Sequence, residues 1–270
     1  MPTPLTLGWS GLTDKGRHRA NNEDAFLALC FNSHEVHLLG KTGAASLATA
    51  DFVFAVSDGM GGAKSGEFAS KIATDRITRL LPRSFKQSAS GLATGPGDVL
   101  LELFAAIHAD LLRLGQSYEE CRGMGATLTL CWFSPEVMHF AHVGDTRLYY
   151  LPAAGSVQQL TQDDSHVGDL RRQGRLNERE ARQHPNKSIL TKALGASSRA
   201  FEPQIGAVHY ELGDRFLICS DGVTDGYWDH ALADLIRDGA TAAHFVHGAI
   251  AEGSRDNSTA IVVDVLAGGG

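Results

Sequence analysis

The sequence predicts an α+β fold in a single domain spanning residues 1–270. Three observations predict it. Apolar runs with strand character come in groups, segments with helical spacing fall in pairs between them, and the regular strand–helix alternation of a doubly wound sheet is missing. No fixed-period repeat and no linker-like stretch divides the chain.

The elements follow in order. Leu5–Asp14 and Glu23–Phe31 read as two strands joined by a polar loop, and Asp51–Asp58 (DFVFAVSD) as a third. From Ser65 the period changes, because Phe68, Ala69, Ile72, Ala73, Ile77, Leu80 and Leu81 recur at helical spacing. Ser84–Asp98 is small and polar and reads as a loop, and Val99–Gly115 as a second helix. Strand character returns at Ala126–Phe133, Val137–Asp145 and Arg147–Leu151. A charged segment of weak helical character follows, from Asp163 to Lys187. Ile205–Leu212 and Arg215–Asp221 are further strands, His230–Asp238 and Ala242–Gly253 short helices, and Ser258–Leu266 a closing strand. Asn32–Ala50 is assigned no element and no role.

Composition narrows the function. With 43% hydrophobic and 20% charged residues the chain is globular, and no apolar run nears the ~18 residues of a membrane span. The start, MPTPLTLGWSGL, lacks the basic and apolar regions of a signal peptide, so a cytoplasmic chain is expected. A net charge of −7 disfavours a general nucleic-acid binder, which needs a basic face. Cys30, Cys121, Cys131 and Cys219 form no C-x-x-C pair and read as reduced thiols.

The third strand ends on Asp58, followed by Gly59, Met60, Gly61 and Gly62. An Asp-Gly turn explains this. So does a ligand held at a rigid strand end, with glycines opening the backbone to something charged. The pattern recurs: Asp221 precedes Gly222, Asp145 follows Gly144, Asp256 stands just ahead of the last strand, and Glu23 and Asp24 head the second. Five such ends favour a shared site over five turns. Clustered carboxylates repel unless a counter-charge is supplied. Oxygen ligands without His or Cys select Mg²⁺ or Mn²⁺ over zinc. Two such ions can share one water, lower its pKa and clamp an in-line displacement at phosphorus.

Taken together, RANNED (Arg19–Asp24), VSDGMGG (Val56–Gly62), GMGATL (Gly123–Leu128), HVGDTRLY (His142–Tyr149), LTQDDS (Leu160–Ser165), LTKALG (Leu190–Gly195), CSDGVTDGYWD (Cys219–Asp229) and SRDNSTAIVV (Ser254–Val263) resemble the metal-dependent serine/threonine protein phosphatases of type 2C, in the bacterial form. The eight motifs stand in the family's order over nearly the whole chain. The resemblance implies a four-layer α-β-β-α sandwich with two central antiparallel sheets flanked by helix pairs. It implies two Mn²⁺ or Mg²⁺ ions between the sheets, with a third, weaker site. Asp58 would bridge both ions, with the Gly59 carbonyl on one of them. Asp221 and Asp256 would hold the first, Glu23 and Asp24 would face the second through waters, and Asp145 with Asp221 would form the third. Arg19 would grip the substrate phosphate, where a guanidinium fork suits two phosphate oxygens.

The implied activity is hydrolysis of phosphoserine and phosphothreonine monoesters by a metal-bridging water or hydroxide, without a phosphoenzyme. The implied substrate is a phosphorylated protein, opposing a serine/threonine kinase, and the expected state is a monomer with no nucleic-acid or membrane partner. The alternative is a catalytically weak phosphoprotein-binding pseudophosphatase, against which the intact acidic set argues.

The sequence also departs from the family. Met60 stands where many eukaryotic members carry a histidine proposed as the acid, and methionine has no proton to give. Asp164 replaces a frequent histidine, Ala126 a common threonine and Thr146 the usual serine. Asp225 reads equally as a turn residue or as support for the site. GMGGAKS (Gly59–Ser65) is no phosphate loop, since Ala63 precedes the lysine. HEVH (His34–His37) is a residue short of the zinc-protease spacing, and His139 and His142 read as packed or surface residues. Residues 164–187, a mobile flap in the family, hold six basic side chains (Arg171, Arg172, Arg175, Arg179, Arg182, Lys187) against four acidic ones. The segment reads either as a solvated face or as an attractor for an anionic phosphoprotein, through Arg171, Arg172 and Arg175.

Overall fold

A computed structural model describes residues 5–61, 65–89, 95–196 and 201–268, with the side chains of 82–89 left aside. Gly62, Ala63 and Lys64 of two sequence motifs, and residues 90–94 of the expected loop, lie outside this set.

The strands are β1 (Thr6–Asp14), β2 (Asp24–Phe31), β3 (Val36–Leu38), β4 (Thr42–Ser46), β5 (Asp51–Met60), β6 (Gly125–Ala126), β7 (Leu128–Phe133), β8 (Val137–Val143), β9 (Arg147–Leu151), β10 (Gln158–Gln159), β11 (Gln204–His209), β12 (Arg215–Cys219) and β13 (Ser258–Leu266). The helices are α1 (Ser65–Ala89), α2 (Pro96–Ser117), α3 (His166–Arg172), α4 (Glu178–Gln183), α5 (Asp221–Gly226), α6 (Asp229–Arg237) and α7 (Ala242–Ala251). One sheet runs β10-β9-β12-β13-β1-β4 and the other β11-β8-β7-β5-β2-β3, with β6 added on β5. All named pairings are antiparallel.

Strand alternation explains the layers. On β5, Phe52, Phe54 and Val56 face the inter-sheet core, where they meet Phe216 of β12 and Ile261 and Val263 of β13. Val53 and Ala55 face the other way, onto Ala69, Ala73 and Ile77 of α1 and Phe104 and Ile107 of α2. On β13, Ala260 and Val262 turn outward to pack against Phe245 and Val246 of α7 and Leu232 of α6. A strand buried on both faces reads as a continuous apolar run, which is why β5 was legible. The result is the expected α-β-β-α sandwich.

Three expectations are corrected. The loop from Ser84 is helical as far as Ala89, and α2 starts at Pro96, so the polar stretch between the helices is shorter. The buried stripe of α1 is Ala69, Ala73, Ile77 and Leu81, an i, i+4 row, whereas Phe68 is 51% exposed. The run ending at Asp221 is a strand only to Cys219, and Asp221 is the first residue of α5.

The unread segment 32–50 closes one edge of the sandwich. β3 pairs with β2 in one sheet and β4 with β1 in the other. The crossing is held where Trp9 Nε1 donates to Gly40 O at 2.9 Å. Gly43 is needed there, because a Cβ would lie 2.4 Å from the Trp9 ring. Among the described residues no helix is long and apolar enough to cross a membrane.

Candidate metal centre and active site

The antiparallel register of β2 and β5 sets Asp24 directly opposite Asp58. The end of β5 is then pinned from its other side. Asp58 N–H donates to Thr127 Oγ1 at 2.9 Å, Thr127 N–H donates to Asp58 O at 2.8 Å, and Ser57 Oγ donates to Thr127 O at 2.7 Å. Gly59 is where α1 meets the strand. A Cβ there would stand 1.9 Å from Gly66 O and 3.0 Å from Glu23 O. The glycine after Asp58 is therefore a requirement of close backbone approach, not only of a turn.

Arg19, Glu23, Asp58, Gly59, Asp145, Asp221 and Asp256 all line one cleft of about 350 Å³, together with Met60, Ser188 and Leu190. The remaining member of the sequence-derived set, Asp24, sits behind the cleft wall, 6% exposed, and accepts a 2.7 Å hydrogen bond from Ser220 Oγ. Asp145 and Asp221 also line a small cavity of about 80 Å³ beneath α3 and α4, so the two spaces share a wall.

The electrostatics of the cleft call for cations. Burial, then the charges of Asp24, Asp221, Asp145 and Asp256, push the Asp58 carboxyl well above its ordinary range. Burial and the neighbouring Asp145, Asp256 and Asp225 do the same to Asp221. Asp145 is pushed up to about 7, by burial and Asp163, against the pull of Arg147. Burial raises Asp24 to about 6 and raises Glu23 as well. One oxygen of Asp221, Oδ1, is enclosed without a hydrogen-bond partner. Arg19 partly answers the charge, with Nη2 2.5 Å from Asp256 Oδ2.

Among the described residues no three acidic, histidine or cysteine side chains close on one point tightly enough to enclose an ion alone. Hard divalent ions do not need such a cage, since they retain several waters and take one or two carboxylates each. An all-oxygen donor set, an orphaned carboxylate oxygen and mutually destabilised charges fit such ions.

Residues not singled out in the sequence hold this frame. Asn257 Oδ1 accepts from Glu23 N–H at 2.8 Å, and its Nδ2 donates to Lys15 O and Asn21 O. It therefore ties the loop bearing Arg19 and Glu23 to the start of β13. Ser220 links Asp24 to Thr259 N. Asp164 bonds the backbone on both sides of Gly144, beside Asp145. His142 is fully buried between Thr129 Oγ1 and Gln162 O, a packed residue. His37 pairs with Glu35 at the surface. The only advance signal for Asn257 and Ser220 was their place inside the motif strings.

The basic flap segment is more committed than its charge implied. Arg171 pairs with Asp229 at 2.7 Å, and Arg172 pairs with Asp169 and donates to Asp163 O. Lys187 pairs with Asp225 at 2.8 Å, and Asp225 lies within α5 and not in a turn. Of the three arginines expected to attract substrate, Arg175 forms no ion pair among the described residues.

Comparison with known proteins agrees with the geometry. The family model for protein phosphatase 2C matches residues 41–254. The chain is 32% identical to the serine/threonine protein phosphatase PstP of Mycobacterium tuberculosis over 97% of its own length, but spans only 46% of that protein. It is similar to the serine/threonine phosphatase of S. agalactiae, with TM-score 0.76 and 26% identity over 96% of this chain and 99% of the other. It is also similar to the catalytic domain of PstP solved with two manganese ions, with TM-score 0.72 and 28% identity over 97% and 99% of the two chains.

Proposed function

The chain belongs to the protein phosphatase 2C family, and from that premise we propose that it is a phosphoprotein phosphatase that uses divalent metal ions to hydrolyse phosphoserine and phosphothreonine monoesters. The observation that carries this reading is the convergence on one cleft of five carboxylates and one arginine from segments as far apart as Arg19 and Asp256. Residues 1–270 form one catalytic domain in this reading.

Asp58, Asp221, Asp256, Asp145 and the Gly59 carbonyl would hold Mn²⁺ or Mg²⁺, two ions with a third weaker site, and Glu23 and Asp24 would act through water. When bound, the ions supply Lewis acidity, which lowers the pKa of the attacking water and offsets charge on the phosphoryl oxygens. The protein's own groups do the rest. Arg19, half exposed and, among the described residues, ion-paired with Asp256, can swing its guanidinium onto two phosphate oxygens. Asp24, fixed by the Ser220 hydroxyl, is held opposite Asp58. Met60 lines the cleft and holds no proton, so the departing serine or threonine oxygen takes its proton from water in the cleft. Water adds to phosphorus as the ester P–O bond breaks, giving inorganic phosphate and the free hydroxyl, with no bond from phosphorus to the protein.

The partner is a phosphorylated protein whose modification is made by a serine/threonine kinase, and the chain acts as a cytoplasmic monomer. The test is phosphate release from a phosphothreonine peptide with Mn²⁺, with chelator, and with Asp58→Asn. Turnover that needs Mn²⁺ and disappears in the variant supports the proposal. Tight phosphopeptide binding without turnover would replace it with a pseudophosphatase, and release that persists in chelator would refute it.

A further inference from the structure

Helix α5 carries Asp221 at its first position, and with six residues it is too short to hold itself. Two glycines seat it. A Cβ at Gly222 would lie 1.9 Å from Asn257 O, and one at Gly226 2.5 Å from Ala249 Cα on α7. These contacts fix where the helix lies but leave its last carbonyls without intrahelical partners.

Arg182, on flap helix α4, supplies those partners. Its Nη2 donates to Thr224 O at 2.9 Å and to Tyr227 O, and its Nη1 donates to Asp225 O at 3.2 Å. A guanidinium at the carbonyl end of a helix also meets its partial negative charge. The side chain is itself oriented. Glu178 Oε1 accepts from Nε at 3.1 Å and Nη2 at 2.9 Å, and Cζ lies 4.8 Å from the centre of the Trp228 ring. The same Glu178 oxygen accepts from Asp229 N–H at 2.8 Å, at the start of α6. Arg182 is 22% exposed, too enclosed to serve as a solvated surface charge.

We propose that Arg182 is a positioning residue that clamps the carbonyl end of α5 and thereby aims Asp221 into the cleft, which makes the flap part of the divalent-ion site. The inference rests on the reading of Asp221 as a metal ligand. An unclamped α5 can tilt about its glycine contacts, and a small tilt moves a carboxylate at the far end of the helix. Removing the groups that orient a metal ligand weakens metal binding by roughly 10- to 100-fold.

The test measures Mn²⁺ binding by calorimetry, with no substrate present, in the full chain and in Arg182→Met, Arg182→Lys, Arg171→Met and Asp221→Asn. Methionine keeps the apolar stem over Trp228 and removes every donor. The expected result is Mn²⁺ affinity weakened about tenfold or more in Arg182→Met, with part of the loss recovered in Arg182→Lys. Arg171→Met cuts another flap tether, the one to Asp229, and is expected to bind Mn²⁺ as the parent does. Unchanged affinity in Arg182→Met would overturn the clamp. Equal losses in Arg182→Met and Arg171→Met would also overturn it, because any loosening of the flap would then suffice. If Arg182→Met fails to fold, Arg182→Lys decides. An affinity below the parent's supports the clamp, since one ammonium cannot reproduce the guanidinium fork, and an affinity equal to it refutes the clamp. A normal affinity in Asp221→Asn would instead show that the ligand assignment is wrong, whatever Arg182 does.

Discussion

Asp24→Asn should stabilise the metal-free chain near pH 8 and weaken its hold on Mn²⁺. Asp24 is buried opposite Asp58, and burial moves its pKa from 3.8 to about 6. At 1.36 kcal/mol per pH unit, holding it ionised above both values costs about 3 kcal/mol. The sign follows from proton binding. Between pH 4 and 6 the folded state holds this proton and the unfolded state has lost it, so stability is full below pH 4 and declines as pH rises through 6. Asparagine removes the charge but accepts a weaker bond from Ser220 Oγ, a loss of about 1 kcal/mol. The net gain near pH 8 is about 2 kcal/mol, or roughly 3–4 °C in Tm for a chain of 270 residues. Urea unfolding in chelator from pH 4 to 8 checks it, with the gain growing across that window and absent at its acid end. With Mn²⁺ present the order should reverse, because the variant gives up part of the ion's surroundings. A variant less stable than the parent at pH 8 in chelator would refute the reasoning, since Asp24 would then be stabilising as an anion without any ion beside it.

The other expectations concern single contacts. Gly59→Ala drives a methyl into Gly66 O and should cost at least the 1–3 kcal/mol typical of overpacking, read as a lower urea midpoint together with lost phosphatase activity. Arg19→Ala should raise KM for a phosphothreonine peptide by roughly 10- to 100-fold, the worth of a charge-assisted bond to phosphate, while calorimetry finds Mn²⁺ affinity no weaker than the parent's because Asp256 loses a competitor. Arg147 is largely enclosed and holds Asp163 through Nε and Nη2, so Arg147→Met leaves a half-buried carboxylate without its counter-charge and should cost about 1–3 kcal/mol in urea unfolding.

How much was legible depended on whether the cause was local. β5 and β13 are written in runs such as Phe52–Val56 and Ala260–Val263, because a strand buried on both faces has few alternatives. The end of α1 was lost because Ser84–Ala89 is polar, and helix there follows from continuity with the turns before it. Helix α5 was missed because Gly222 and Gly226 look like turn residues, yet each is small only so that Asn257 O and α7 can approach.

The sequence by itself determined the family, the order of the strands and the carboxylates at their ends, because apolar runs and motif spacing are properties of neighbouring residues. Only the tertiary structure decided which charges meet. Arg19 finds Asp256 across 237 positions, Ser220 finds Asp24 across 196, and Arg182 is drawn from an apparent basic surface into the end of α5. Pairings of that kind depend on strand register and layer packing, and a charge carries no mark in its own neighbourhood of the partner that will neutralise it.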